Sequence, residues 1–102
     1  MYMPGYFVIN LKVTNRQKIE EYSDEVAVLV EQYGGHYLVR GGAYDILEGE
    51  WDADRVVVVE FPNVEAVKSF HASGQYARLH QICTEGAKSN AIAVAGVERR
   101  SA

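Results

Sequence analysis

The chain has 102 residues, a formal net charge of −4, and 48% hydrophobic against 24% charged residues. That is the length of one domain and the composition of a globular rather than a disordered chain. With 10 basic against 14 acidic residues and no basic block beyond Arg99-Arg100, it lacks the clustered cations that nucleic-acid phosphates or an anionic membrane surface require, so neither is expected as a partner.

The expected organisation is a single domain over 1–102, with a core from about 6 to 97 and a polar tail, 98–102, that frays. One cysteine, Cys83, rules out an intrachain disulfide and suits a reducing cytoplasm, the expected location. The N-terminal Met1-Tyr2-Met3-Pro4-Gly5 has neither the basic nor the apolar region of a signal peptide. No apolar run approaches the roughly 20 residues that span a bilayer.

Tyr6 to Val13 alternates as a strand, with Phe7, Ile9, Leu11 and Val13 on an apolar face and Tyr6, Val8, Asn10 and Lys12 on a mixed one. Thr14 and Gln17 have the spacing of a capping box. A helix is predicted to follow, because Ile19, Tyr22, Val26, Leu29 and Tyr33 recur at steps of three and four. Gly34-Gly35 is placed to end it. His36 to Arg40 reads as a second strand, with Tyr37 and Val39 opposite His36, Leu38 and Arg40. Gly41-Gly42 breaks it, Asp45 to Glu48 is predicted as a short edge strand or part of a hairpin, and Asp52-Ala53-Asp54 as a polar turn.

Arg55 to Phe61 is almost continuous in valine and predicts a central strand, in which Glu60 is the anomaly. Pro62 stops it and Asn63 caps a second helix, with Val64, Val67 and Phe70 inward. Ser73-Gly74 interrupts that helix. Tyr76, Leu79, Ile82 and Cys83 carry a helical stripe on to about Thr84, and Ala91 to Val97 is the last strand.

The order is β-α-β-β-α-β, the split βαβ plan: an α+β fold with an antiparallel sheet and both helices on one face. The other face, bearing Tyr6, Val8, Asn10, Val58 and Glu60, then has no cover from its own chain. An exposed apolar face usually marks an interface, and a twofold homodimer closing two sheets face to face is the simplest cover.

Three motifs in sequence carry a family resemblance: Tyr37-Leu38-Val39-Arg40-Gly41-Gly42, then Leu47-Glu48-Gly49-Glu50-Trp51, then Arg55 through Pro62. Ala66, Phe70, Ser73, Tyr76 and Ser89 extend it. Over roughly Tyr6 to Val97 the chain resembles the small bacterial proteins called domain of unknown function 1330. These are similar to the dimeric α/β-barrel proteins, whose fold is ferredoxin-like and whose members include cofactor-independent monooxygenases, lactone isomerases, small cyclases and haem-using enzymes. The resemblance implies the fold and the homodimer. It leaves the reaction open, because one fold hosts many chemistries. The chain departs from the family in carrying Cys83 and Asn90 where basic residues are expected, which bears on any anionic ligand.

The stretch from Gly34 to Trp51 is expected to form one wall of a polar pocket on the open sheet face, with Asn10, Glu60 and a second subunit as the other walls. Glu60 and Arg40 are the candidate catalytic pair. A carboxylate in a low-dielectric pocket can act as a general base, and a guanidinium can hold an anionic or enolate oxygen. Asn10, Tyr37, Glu48, Trp51, Arg55 and Tyr76 are the candidate ligand-binding residues, since tyrosine and tryptophan suit a half-wet pocket. The same charges would equally serve as structural ion pairs, and the same aromatics as a dimer interface. Gly41-Gly42 lacks phosphate-loop spacing and reads as a turn. His71, His80 and Cys83 fall short of a metal set, Cys83 lies in an apolar stripe where a thiolate is disfavoured, and no metal or cofactor is expected.

Two functions follow. One is a cofactor-independent enzyme acting on an organic carbonyl or aromatic substrate by proton transfer, isomerisation, cyclisation or oxygenation. The other is a non-catalytic dimeric module that binds a metabolite or a protein. The enzyme should hold Glu60 and Arg40 at one cavity, whereas the module should have Glu60 paired off.

Overall fold

The computed structural model describes residues 2–99, so Arg100 and the end of the predicted tail lie outside the described residues. The elements in order are β1 (Gly5–Val13), α1 (Arg16–Gln32), β2 (His36–Arg40), β3 (Arg55–Phe61), α2 (Val64–Ala72), α3 (Gly74–Gly86) and β4 (Ala87–Ala95). The strands form one antiparallel sheet in the order β2-β3-β1-β4. This α+β topology is ferredoxin-like.

The alternation in β1 sends Phe7, Ile9 and Leu11 into the core. There they meet Ile19, Tyr22, Val26, Leu29 and Val30 of α1, Val67 and Phe70 of α2, and Tyr76, Leu79 and Cys83 of α3. Phe70 sits at the centre, with ring contacts to Phe7 at 5.5 Å, Phe61 at 5.2 Å and Tyr76 at 4.9 Å. Burial of one such ring contributes about 1.5–3 kcal/mol.

Helix α1 begins one residue later than the capping-box spacing predicts. The N–H of Thr14 is taken by the carbonyl of Gly86 at 2.8 Å, and Asn15 is the cap, its Oδ1 accepting from the N–H of Lys18. At the other end Gly34 has φ +79°. Gly35 N–H reaches Val30 O at 2.9 Å and Gly34 N–H reaches Glu31 O at 3.0 Å, the paired bonds of a Schellman motif. Ser73 separates α2 from α3. Its N–H donates to Phe70 O while its Oγ accepts from Tyr76 N–H at 3.1 Å.

Three further expectations are corrected. No strand forms at Asp45 to Glu48; the chain from 41 to 54 is irregular and exposed apart from Ala53. Strand β4 starts at Ala87 rather than Ala91, because Lys88, Ser89 and Asn90 pair with Lys12, Leu11 and Asn10 although they show no apolar alternation. The tail does not fray at once: Tyr2 and Arg99 form a bridge, N–H to O at 2.8 Å and 2.7 Å.

One irregularity decides where the functional side chains point. Tyr37 pairs with Val59, but Val39 pairs with Val58, so Leu38 is the extra residue of a β-bulge. Before the bulge, His36 stands beside Glu60 on the open face. After it, Val39 takes the open face, while Arg40, opposite Val57, joins Tyr37 on the helix side.

Candidate functional site

Two polar sites lie on opposite sides of the sheet. On the open face, Glu60 is held between its register neighbours Tyr6 and His36. Its side chain is only 8% exposed. Oε2 is 2.9 Å from His36 Nε2, and Oε1 is 2.8 Å from Arg99 Nη1. Tyr6 Oη donates to Oε1 at 3.2 Å and accepts from Arg99 Nη2 at 2.9 Å. Both carboxylate oxygens therefore have partners.

On the helix side, a cavity of about 170 Å³ opens between α1 and the sheet. Its walls are Phe7, Ile9 and Leu11 of β1, Val57 and Val59 of β3, Val26 and Val30 of α1, and Phe70. The polar lining is Tyr22, Ser23, Tyr37, Arg40 and Arg55. Arg40 bridges from β2 to α1, with Nη2 donating to the backbone carbonyl of Ser23 at 3.0 Å and its guanidinium 4.7 Å from the centre of the Tyr37 ring. Burial pushes the Tyr37 phenol up, with the Arg40 charge opposing the shift.

Behind this cavity, Tyr22 and Tyr76 share a hydroxyl–hydroxyl bond of 2.9 Å. Burial pushes the Tyr22 phenol far above its ordinary value and the Tyr76 phenol up to about 12. Neither ionises near neutral pH, so the pair presents a neutral hydrogen-bonding edge.

The structure brings Arg40, Tyr37 and Arg55 together and places Glu60 elsewhere. Glu60 and Arg40, expected at one pocket on the open face, lie on opposite faces, because the bulge at Leu38 turns Arg40 to the helix side. Tyr76 is a core residue that does not line the cavity but packs against its lining residues Tyr22, Phe7 and Phe70. Asn10 and Trp51 border a separate depression of about 300 Å³ on the open face, with Lys12, Lys88 and Asn90. Asn10 Oδ1 is buried there without a partner. Glu48 lines a shallow hollow in the 41–54 loop with Tyr44, Ile46, Leu47 and Trp51. The stretch from Gly34 to Trp51 is thus divided: Tyr37, Arg40 and Gly41 face the cavity, and the later residues do not.

Gly41 is a turn residue with φ +70°, and its N–H is spent on Val56 O at 3.0 Å. The rings of His71 and His80 lie 6.2 Å apart, and Cys83 is buried with its thiol pushed up by burial. Among the described residues no three His, Cys, Asp or Glu side chains gather to hold a metal ion. Among the described residues no helix is long and apolar enough to cross a membrane.

Residue-by-residue reading of the sequence misses Tyr22, Ser23, His36 and Arg99. The signal for Tyr22 was present, because a phenol within an apolar stripe needs a hydrogen-bond partner, and Tyr76 stands in a second such stripe. Nothing local singles out Arg99.

The model of the domain of unknown function DUF1330 matches residues 4–97. The chain belongs to the DUF1330 family. Among curated proteins, none matches it by sequence. Among solved structures, a protein of unknown function from Rhodopseudomonas palustris aligns over 97% of this chain and 86% of its own, with TM-score 0.73 and 17% identity. SnoaB, a cofactor-independent oxygenase from Streptomyces nogalater, aligns over 96% and 95%, with TM-score 0.62 and 15% identity. A dimeric ferredoxin-like protein of unknown function from Jannaschia sp. CCS1 aligns over 89% and 97%, with TM-score 0.63 and 8% identity. At such identities the likeness of this DUF1330 chain to them carries the fold and none of the chemistry.

Proposed function

We propose that this DUF1330 protein is a homodimeric binding protein for a small organic molecule, carbonyl-bearing or aromatic, taken up between α1 and the sheet. The observation that carries this reading is the lining of the cavity. Apolar walls from β1, β3, α1 and Phe70 meet a few polar groups at one side, Ser23, Tyr37, Arg40 and Arg55, the usual build of a ligand site. Its volume of about 170 Å³ is close to the ~150 Å³ of a cavity that admits one benzene ring.

Binding is favoured over catalysis because the lining includes no carboxylate, imidazole or thiol to act as a general base. Glu60, the acid in the catalytic alternative, has both oxygens occupied on the opposite face. The fold likeness to the oxygenase SnoaB supports a catalytic alternative only through the shared scaffold. The homodimer is supported by the uncovered apolar face, with Ile92 and Val94 exposed, and by the dimeric fold neighbour.

The test is a thermal-shift screen of single-ring ketones, phenols and aromatic acids, followed by calorimetry. A ligand that binds only the native state raises apparent stability. Binding is expected in the native chain and is lost in Val57→Phe, which fills the cavity. A screen without hits at millimolar concentration overturns the reading.

A further inference from the structure

We propose that the ligand of this cavity is an organic anion, a ring-sized carboxylate or enolate, with Arg55 as its counter-ion and Arg40 as a strap across the mouth. This rests on the reading above that the cavity binds a ligand.

The first observation is the distribution of charge pairs. Among the described residues, every carboxylate contact within 4.0 Å from a basic side chain uses Lys12, Arg16, Lys18, Arg78, Arg99 or the His36 ring. Neither Arg40 nor Arg55 takes part. The contacts of Arg40 are both neutral, the Ser23 carbonyl and the Tyr37 ring. Lys68 and Lys88 are also outside these pairs, but they and Arg40 are exposed, where water serves a cation well. Arg55 is half-buried and lines an apolar cavity. A guanidinium in such a place gains more from an anion than it would in bulk water, because the local dielectric is low.

The second observation is how Arg55 is placed. It opens β3 opposite Leu11, on the same side as Val57 and Val59, so parity turns it toward the helices. Its stem lies against Gly41, where Cδ would stand 3.6 Å from a Cβ if residue 41 had one. Gly41 and the strap residue Arg40 are adjacent, so the two guanidinium-bearing side chains line one rim. A planar fork of donors matches a carboxylate with two parallel bonds, which a lysine cannot provide.

The third observation is the charge of the whole chain. At −4 it repels anions at long range, so capture of one needs cations concentrated at the site. The ring of the ligand would sit against Phe7, Val57, Val59 and Phe70. Its carboxylate would take Arg55 and draw Arg40 from the Ser23 carbonyl.

Benzoate and its neutral isostere benzamide test this, with calorimetry and amide chemical-shift mapping on the native chain, Arg55→Met and Arg40→Met. The expected result is benzoate binding at least tenfold tighter than benzamide, with shifts at Ser23, Tyr37 and Gly41. A tenfold or greater loss is expected in Arg55→Met and a smaller one in Arg40→Met. Equal binding of the two probes, or benzoate binding unmoved by Arg55→Met, overturns the anion inference and leaves the cavity reading standing. Binding of neither probe overturns the anion inference, and the wider screen of ketones and phenols then decides the cavity reading. Shifts that map instead to Lys88 and Asn90 overturn the assignment of the site. If Arg55→Met fails to fold, the comparison of benzoate with benzamide on the native chain decides.

Discussion

Arg99 reaches Glu60 across the open face of the sheet, Nη1 to Oε1 at 2.8 Å, and so pins the C-terminal segment to the middle of the fold. The reach is set by the Tyr2–Arg99 bridge, which fixes the backbone of Arg99 beside the start of β1. The partnership is unequal. The Glu60 side chain is 8% exposed, whereas that of Arg99 is 47% exposed and that of His36 63%. Losing Arg99 leaves a buried carboxylate with Tyr6 and His36 alone, but losing the carboxylate frees two exposed side chains that water can reach.

That asymmetry gives an ordered prediction. Glu60→Gln should cost about 1–3 kcal/mol, the scale of a hydrogen bond to a charged group. It should fall short of the ~3–5 kcal/mol typical when a fully buried pair is broken. Arg99→Ala should cost at least as much as Glu60→Gln, and the double variant should recover part of the loss. Urea unfolding of the four proteins checks this. Arg99→Ala as stable as the native chain would show that the contact contributes nothing to stability.

The tyrosine pair predicts loss of stability in base. Burial raises both phenols above their ordinary value of 10.0. The folded state therefore keeps protons that the unfolded state releases first. The stabilisation is fully present below pH 10 and is lost as pH rises through the folded value, about 12 for Tyr76 and higher for Tyr22. Above pH 10 each phenol contributes a slope of about −1.4 kcal/mol per pH unit. Denaturant midpoints between pH 8 and 11.5 should fall with that combined slope, and Tyr22→Phe should reduce it. At pH 7, Tyr22→Phe alone strands the Tyr76 hydroxyl at a cost of about 1–3 kcal/mol, while the double replacement by Phe is closer to neutral. A flat stability curve past pH 10 would contradict the buried bond.

The elements legible in the sequence are those with a strong period or a strong stop. The alternation of β1, the stripe from Ile19 to Leu29, the glycine pair after it and the Asn63 cap all follow from local physics. What was not legible depends on pairing. A bulge at Leu38 has no signature in His36 to Arg40, yet it moves Arg40 from one face to the other and takes it from Glu60. The polar start of β4 is a strand because β1 offers it a ladder, not because Lys88-Ser89-Asn90 favours one. The Glu60 partners come from β1, β2 and the C-terminal segment, and only the assembled sheet makes them neighbours. The family motif at Tyr37 to Gly42 lies at the rim of the helix-side cavity, away from the open face on which the sequence places the pocket.

Cys83 makes a kinetic prediction. Its side chain is buried in the core and burial pushes the thiol up. The thiolate is the reactive species, so the native protein should resist disulfide-exchange reagents at pH 8. Labelling should be slow and should accelerate with added urea in step with unfolding. Rapid stoichiometric labelling of the native chain would place Cys83 at an accessible site and reopen it as a functional residue.

The open face makes the last prediction. Val39 on β2, Val58 on β3, Val8 on β1, and Ile92 and Val94 on β4 share this face, with Ile92 60% and Val94 42% exposed. A stable pairing removes roughly 800 Å² per partner from water, and a four-stranded sheet face offers an area of that order. Light scattering should therefore give twice the chain mass at micromolar concentration. Ile92→Lys with Val94→Lys should convert the dimer to a monomer, because two buried like charges meeting their symmetry mates lack compensation. The same substitutions should change the fold of one chain little, since both side chains already face solvent within it, and circular dichroism separates the two effects. The cavity belongs to the other face, so benzoate binding should survive in the monomeric variant. Loss of binding together with loss of the dimer would show that the partner completes the site, and a native chain that is already monomeric would leave the paired-sheet proposal without support.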